Sequence, residues 1–172
     1  MRALWMAFRH LLAILLLPFM VVIVIPRWLR QAWRISDTQW PPGSSLAVLG
    51  EIAGAVIFLA GFALFAWCVS LFARIGKGTL APWDPTQNLV VRGPYRHVRN
   101  PMITAVVVML IGHALFHGSR VLAIWTATFV LLNFAFFIVF EEPDLERRFG
   151  EDYRRYKTAV PRWIPRRTPW NV

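Results

Sequence analysis

Four long apolar runs dominate the chain: Leu11 to Ile25, Leu46 to Ala73 broken only by Glu51, Met102 to Phe116, and Val121 to Phe140. An α-helix needs about 20 apolar residues to cross the roughly 30 Å hydrocarbon core of a bilayer, where no water satisfies an exposed backbone N–H or C=O. Each run therefore predicts a membrane helix. Together they predict an all-α polytopic membrane bundle with about four transmembrane helices, near 4–25, 50–73, 101–117 and 120–141, in one membrane domain over 1–172. A polar loop over 74–100 and a carboxyl-terminal cap over 142–172 complete it. Composition agrees, since 57% of the 172 residues are hydrophobic and 16% charged. Such a chain is not disordered, and it is more apolar than a soluble domain of this size requires.

The first run follows Arg2 and Arg9 as a secretory signal does, but Pro26-Arg27-Trp28 stands where a small-residue cleavage site belongs, so the helix is expected to stay. In the second, Gly50, Gly54 and Gly61 share roughly one face, and Gly50-xxx-Gly54 fits the small-residue packing motif of membrane helices. The third is only 15 residues, about 22 Å of helix. Either it continues past Phe116, or it begins below the membrane surface and draws Arg99, Asn100 and Pro101 into the interface.

The net charge of +10 lies between and beyond the apolar runs, the arrangement expected beside anionic lipid rather than nucleic acid. With four spans, fifteen basic residues fall on the side of the amino tail, the 74–101 loop and the carboxyl tail, and four on the other. The positive-inside rule then expects both termini and the loop in the cytoplasm. Arg27, Arg30 and Arg34 fit that topology poorly, and an interfacial first segment is the alternative. A single cysteine, Cys68, allows no intrachain disulfide and no paired-cysteine metal or redox site.

His117-Gly118-Ser119-Arg120 forms a tight polar break between the third and fourth runs, so those helices should be an antiparallel hairpin with both open ends on one membrane face. One open end carries Arg92-Gly93-Pro94-Tyr95-Arg96-His97-Val98-Arg99-Asn100-Pro101 and the other Glu141-Glu142. Two carboxylates at the end of an apolar helix are costly unless they meet cations, water or a ligand, and the arginine-rich loop is the evident partner. A plain interfacial ion-pair network would satisfy the same pattern. His113 and His117 are four apart on one face but lack an acidic third ligand, so they read as polar packing and no metal is expected. Asn133 reads as interhelical glue.

The segment Asn88 to Met102 resembles the "GPY, then RHP" region of the isoprenylcysteine carboxyl methyltransferase and phospholipid methyltransferase superfamily, and Gly112-His113-Ala114-Leu115 is similar to its following GxxL. Glu141-Glu142-xx-Leu145-xxx-Phe149-Gly150-xx-Tyr153-xx-Tyr156-xxx-Val160-Pro161-Arg162-x-Ile164-Pro165 resembles the carboxyl-terminal signature. The resemblance covers about Gln87 to Pro165 and implies an integral membrane methyltransferase. In it, S-adenosylmethionine binds at the cytoplasmic end of the last helices under a carboxyl-terminal cap. Arg99, Pro101, Glu141 and Glu142 fall on cofactor-site positions, and Tyr95 on the approach loop. Asn100 stands where the superfamily has histidine, Ile103 where it has tyrosine and Ala105 where it has glycine. Asn100 keeps hydrogen-bonding capacity but cannot titrate near neutrality.

Chemistry fits that expectation. A bidentate guanidinium suits the cofactor carboxylate, with Arg99 first and Arg96 second. Glu141 and Glu142 suit the ammonium or ribose and oppose the sulfonium charge. The resemblance further implies the backbone of Leu89, Val90 and Val91 near adenine, with Asn100, Pro101 and Met102 beside the cofactor. Arg99 and Glu142 are the expected catalytic pair, Glu142 being the base if the acceptor is an amine. Methyl transfer from an activated donor asks the protein mainly for proximity and orientation. The acceptor should partition into the bilayer: an isoprenylcysteine carboxylate, a phospholipid amine, or a small hydrophobic thiol or amine. Two alternatives stand beside this reading, an NADPH-dependent membrane sterol or lipid reductase and a non-enzymatic scaffold. Beyond Pro143, Leu145, Phe149, Tyr153, Tyr156 and Val160 recur at helical spacing, which predicts an amphipathic helix lying over the cofactor. Trp163, Trp170 and the last arginines read as interfacial anchors.

Overall fold

The computed structural model describes residues 8, 11–13, 15–32, 40, 41, 43–77, 79 and 85–171. The regular elements among them are all helical, with no strand. Helix α1 is Leu11–Ala32 and α2 is Ser45–Gly76. Helix α3 is Pro101–His117, α4 is Arg120–Phe136 with a π-helical turn Phe137–Glu141, and α5 is Glu142–Ala159. The 74–100 segment holds one short 3-10 turn, Gly93–Arg96. Helices α1, α2 and the run beginning at Arg120 are long and apolar enough to cross a membrane. Their outward faces leave large apolar side chains uncovered, Leu59 at 64% and Leu131 at 69% exposure, as a lipid-facing surface requires. This is an integral membrane helix bundle.

Helix α1 differs from the expectation of a stop near Ile25, since the helix runs on through Pro26 to Ala32. Proline has no N–H to give, so a carbonyl one turn earlier loses its donor. Other helices supply donors there. His113 Nδ1 lies 3.1 Å from the Val22 carbonyl, and Trp125 Nε1 donates to the Val21 carbonyl at 3.1 Å. Pro26 is buried at this crossing, and Val22 joins a core cluster with Phe65, Ala105, Val106, Met109 and Leu110. Residues 4–10 of the expected first helix lie outside the described residues except Phe8. Helix α2 begins five positions before the expected residue 50, because Ser44 caps it by accepting from Ala47 N at 3.1 Å.

Helices α2 and α3 meet backbone to backbone. A Cβ on Gly112 would fall 2.5 Å from Phe58 N, and one on Gly54 2.4 Å from Phe116 N. Gly50 serves otherwise, making room for the Trp40 ring, whose Nε1 donates to the Leu115 carbonyl at 2.8 Å. The α3–α4 turn is the expected hairpin. Gly118 takes the left-handed φ of 57°, returning its N–H to the Ala114 and Leu115 carbonyls, and Ser119 caps α4 by accepting from Leu122 N. Of the two options for the short third helix, this cap ends it at His117, so its 17 residues reach only about 25 Å. Asn133 bonds within its own helix, donating to the Phe129 carbonyl at 2.8 Å, and is not the interhelical link expected of it.

Helix α5 is two helical pieces joined at Gly150, whose φ of 53° and ψ of −128° leave the helical region; the expected single helix is therefore kinked. The amphipathic stripe still faces inward. Tyr153, Tyr156 and Val160 are buried together and pack against Leu89 and Val91 of the preceding loop.

Candidate active site

The hairpin returns Glu141 and Glu142 to the level of Arg99. Arg99 Nη1 donates to Glu142 Oε1 at 2.8 Å, with the two side chains 8% and 5% exposed. Arg162, from the tail beyond α5, forks onto the same carboxylate, Nε to Oε1 at 2.6 Å and Nη2 to Oε2 at 2.9 Å. Lys157 Nζ stands 3.4 Å from Oε2. Burial pushes the Glu142 carboxyl up, but the Arg162 hydrogen bond and the charges of Arg99, Arg162 and Lys157 outweigh it and hold it below the usual range. The same bond raises the Arg162 guanidinium.

Beside this cluster lies a cavity of about 770 Å³. Its polar end is lined by Tyr95, Arg99, Asn100, Glu141, Arg148 and Tyr153. Its apolar walls come from α1, with Leu17, Pro18 and Val21, and from α4, with Phe129, Phe136 and Phe140. Phe136 and Phe140 are themselves exposed on the bundle surface at 43% and 63%, so one wall of the chamber borders lipid. Leu89, Val90 and Met102 also line it, whereas Val91, Arg96, Pro101 and Glu142 do not. Arg96 is spent elsewhere, its Nε donating to the Trp170 carbonyl at 2.7 Å. Glu141 faces the chamber and makes no hydrogen bond or ion pair among the described residues.

Asn100 is the informative residue. It precedes α3, where asparagine ordinarily caps, yet its side chain makes no capping bond. It is 4% exposed, and its Nδ2 has no partner; Arg99 Nε is likewise buried and unpaired. Native proteins seldom leave such donors orphaned, and two on adjacent residues lining one cavity are suited to a ligand rich in acceptors. Burial pushes the nearby Tyr95 phenol well above its usual range, so it stays protonated. Its ring stacks on Phe72 at 5.6 Å, and its carbonyl accepts from Tyr156 Oη at 2.7 Å. Among the described residues no three His, Cys, Asp or Glu side chains group to hold a metal.

The sequence profile of the phospholipid methyltransferase family matches residues 49–152, from α2 into α5. The chain belongs to this family. It is accordingly a membrane methyltransferase by family, within the isoprenylcysteine carboxyl methyltransferase-like superfamily, and the match takes in both the Arg99 loop and the Glu141-Glu142 helix end. This phospholipid methyltransferase family member is also 35% identical over 63 residues to an uncharacterized protein of Haemophilus influenzae, covering 37% of this chain and all of that protein. No solved structure matches it significantly.

Sequence reasoning missed two parts of the site. Arg148, whose Nη2 donates to the Thr86 carbonyl, closes the cavity from α5. Tyr153, expected only as stripe packing, lines the cavity with its hydroxyl 3.4 Å from Arg99 Nη1. Its tyrosine identity at a buried stripe position was the available signal, because a buried phenol needs a polar partner.

Proposed function

We propose that the chain transfers a methyl group from S-adenosylmethionine to a lipid-like acceptor that enters from the bilayer, with the cofactor site and both termini cytoplasmic. The observation that carries this reading is the pair of orphaned buried donors, Asn100 Nδ2 and Arg99 Nε, on a chamber whose far walls are apolar. The donors suit a carboxylate and hydroxyls, the unpaired Glu141 carboxylate suits an ammonium or a sulfonium, and Leu89 and Val90 offer a flat apolar bed for adenine. When bound, S-adenosylmethionine supplies a methyl group already activated on sulfur.

The chain's own part is placement. Arg99 and Asn100 fix one end of the ligand from the residues just before α3, and Glu141 fixes the other from the end of α4. Phe129, Phe136 and Phe140 exclude water from the apolar wall and guide an apolar acceptor inward. If the acceptor is an amine, Glu141 takes its proton, because Glu142 is committed to Arg99, Arg162 and Lys157 and does not border the chamber. An isoprenylcysteine carboxylate or a thiolate needs no base.

Calorimetry on the purified protein in detergent tests this reading: S-adenosylmethionine or S-adenosylhomocysteine should bind, and Glu141→Gln should keep the fold while lowering methyl transfer to an amine acceptor. No binding across several detergents and added lipids would remove it.

A further inference from the structure

The tail after α5, whose Trp163 and Trp170 read as interfacial anchors, is also tied to the loop before α3. Val160 leaves the helix in an extended conformation, and the chain turns back along the segment that leads into α3. Arg99 N donates to the Pro161 carbonyl, Arg166 N to that of His97 and Trp170 N to that of Arg96, each at 2.9 Å. Arg96 Nε returns a bond to the Trp170 carbonyl, and His97 Nδ1 lies 2.9 Å from the Arg166 carbonyl. The tail is thus laced to the backbone just before Asn100. It lies beyond the residues matched by the family profile.

From this strap Arg162 reaches Glu142, with both nitrogens of its fork on the two carboxylate oxygens. We propose that Arg162 is a positioning residue which, acting through Glu142, holds the Arg99 guanidinium at the polar end of the cavity and makes the 160–170 strap a working part of the cofactor site. The inference rests on the reading that Arg99 holds the cofactor. Arg162 itself does not line the cavity, so it has no direct route to a ligand there. A two-point fork fixes the carboxylate plane, which a single bond does not, and the fixed plane sets where Oε1 meets Arg99 Nη1. Without Arg162, Glu142 keeps one guanidinium bond and the longer Lys157 contact, and its terminal torsion is held less tightly.

The charged and titratable groups around Glu142 are Arg99 from the loop, Lys157, Tyr153 and Glu146 from α5, Glu141 adjoining it, and Arg162 from the tail. Arg162 leads the influences that hold the Glu142 carboxyl down against burial. Its removal lets Glu142 protonate at a higher pH, and a protonated Glu142 releases Arg99.

The test is calorimetry with S-adenosylhomocysteine on the full chain in detergent, from about pH 3.5 to pH 8, so that the wild-type onset below the ordinary carboxyl range is included. Arg162→Gln should weaken binding by about tenfold at neutral pH, the scale of a buried charge-assisted hydrogen bond, and its loss of affinity on acidification should begin at a higher pH than in the wild type. Arg162→Lys, which keeps the charge but not the fork, should fall between. In a Glu142→Gln background Arg162→Gln should add little, because the two act in series. Wild-type affinity and pH profile in Arg162→Gln, or fully additive losses in the double variant, overturn the proposal. If Arg162→Gln cannot be recovered folded, a wild-type profile in Arg162→Lys overturns it equally. Failure of the wild type to bind at any pH refutes the cofactor reading and this proposal with it; wild-type binding indifferent to Arg162 refutes this proposal alone.

Discussion

Arg99 and Glu142 are 43 positions apart in the chain and 2.8 Å apart in space. The turn at Gly118 makes this pairing, since it folds α4 back along α3 and sets a loop arginine against the end of the next helix. With Arg162 and Lys157 on the same carboxylate, Glu142 is the charge on which three segments converge.

Removing that charge should therefore cost stability first. Glu142→Gln leaves Arg99 and Arg162 facing an amide, and the unfolding free energy should fall by roughly 3 kcal/mol, the low end for a broken buried pair. Thermal unfolding in detergent measures it. A wild-type midpoint would show that the cluster is solvated.

Acid should act on the same group. Its folded pKa lies below the ordinary 4.5, so Glu142 contributes stability that is present above that value and lost as pH falls through the folded pKa. The wild-type unfolding midpoint should hold down to about pH 4.5 and drop below it more steeply than that of Glu142→Gln. Parallel curves for the two proteins would contradict the assignment.

Asn100→Leu should separate fold from function. The Nδ2 donor has no internal partner, so an apolar side chain of similar volume removes a buried orphan and should leave the unfolding midpoint unchanged or raised. S-adenosylhomocysteine affinity should fall by about tenfold. Unchanged affinity would mean that Asn100 does not face the ligand.

Gly112→Val should break the α2–α3 contact. Its Cβ would stand 2.5 Å from Phe58 N, a backbone atom that moves only with the whole helix, so a loss of about 2 kcal/mol or more is expected. A chemical-denaturation series in detergent would detect this, and a wild-type curve would place the helices farther apart than described.

His113→Phe should loosen α1, which walls the apolar side of the chamber, without touching its polar end. It leaves the Val22 carbonyl short of a donor at a cost of about 1 to 3 kcal/mol, while S-adenosylhomocysteine affinity stays near wild type. Equal damage to binding would tie α1 to the cofactor end.

The hairpin and the meeting of loop with helix end were legible because Gly118-Ser119 is a local turn signal and the apolar runs on either side fix what it joins. The passage of α1 through Pro26 was not, because the compensating donors, His113 and Trp125, sit 91 and 104 positions from the carbonyls they serve. Nor could the sequence distinguish two adjacent glutamates. One residue is about 100° of helix, enough to turn Glu141 into the chamber and Glu142 away from it. The strap escaped because backbone hydrogen bonds such as Trp170 N to Arg96 O leave no pattern in side-chain identity.

The crossing at Pro26 bears on how the bundle comes together. Helix α1 is synthesised before α3 and α4, so during that interval the carbonyl that Pro26 leaves without an N–H in this apolar helix lacks the donors that later serve the turn. An unsatisfied polar group there is costly, and the arrival of His113 and Trp125 relieves it. Lipid thus drives the docking of α1, through the polar groups that it cannot solvate, at a stage when contact between apolar side chains offers little preference over contact with acyl chains.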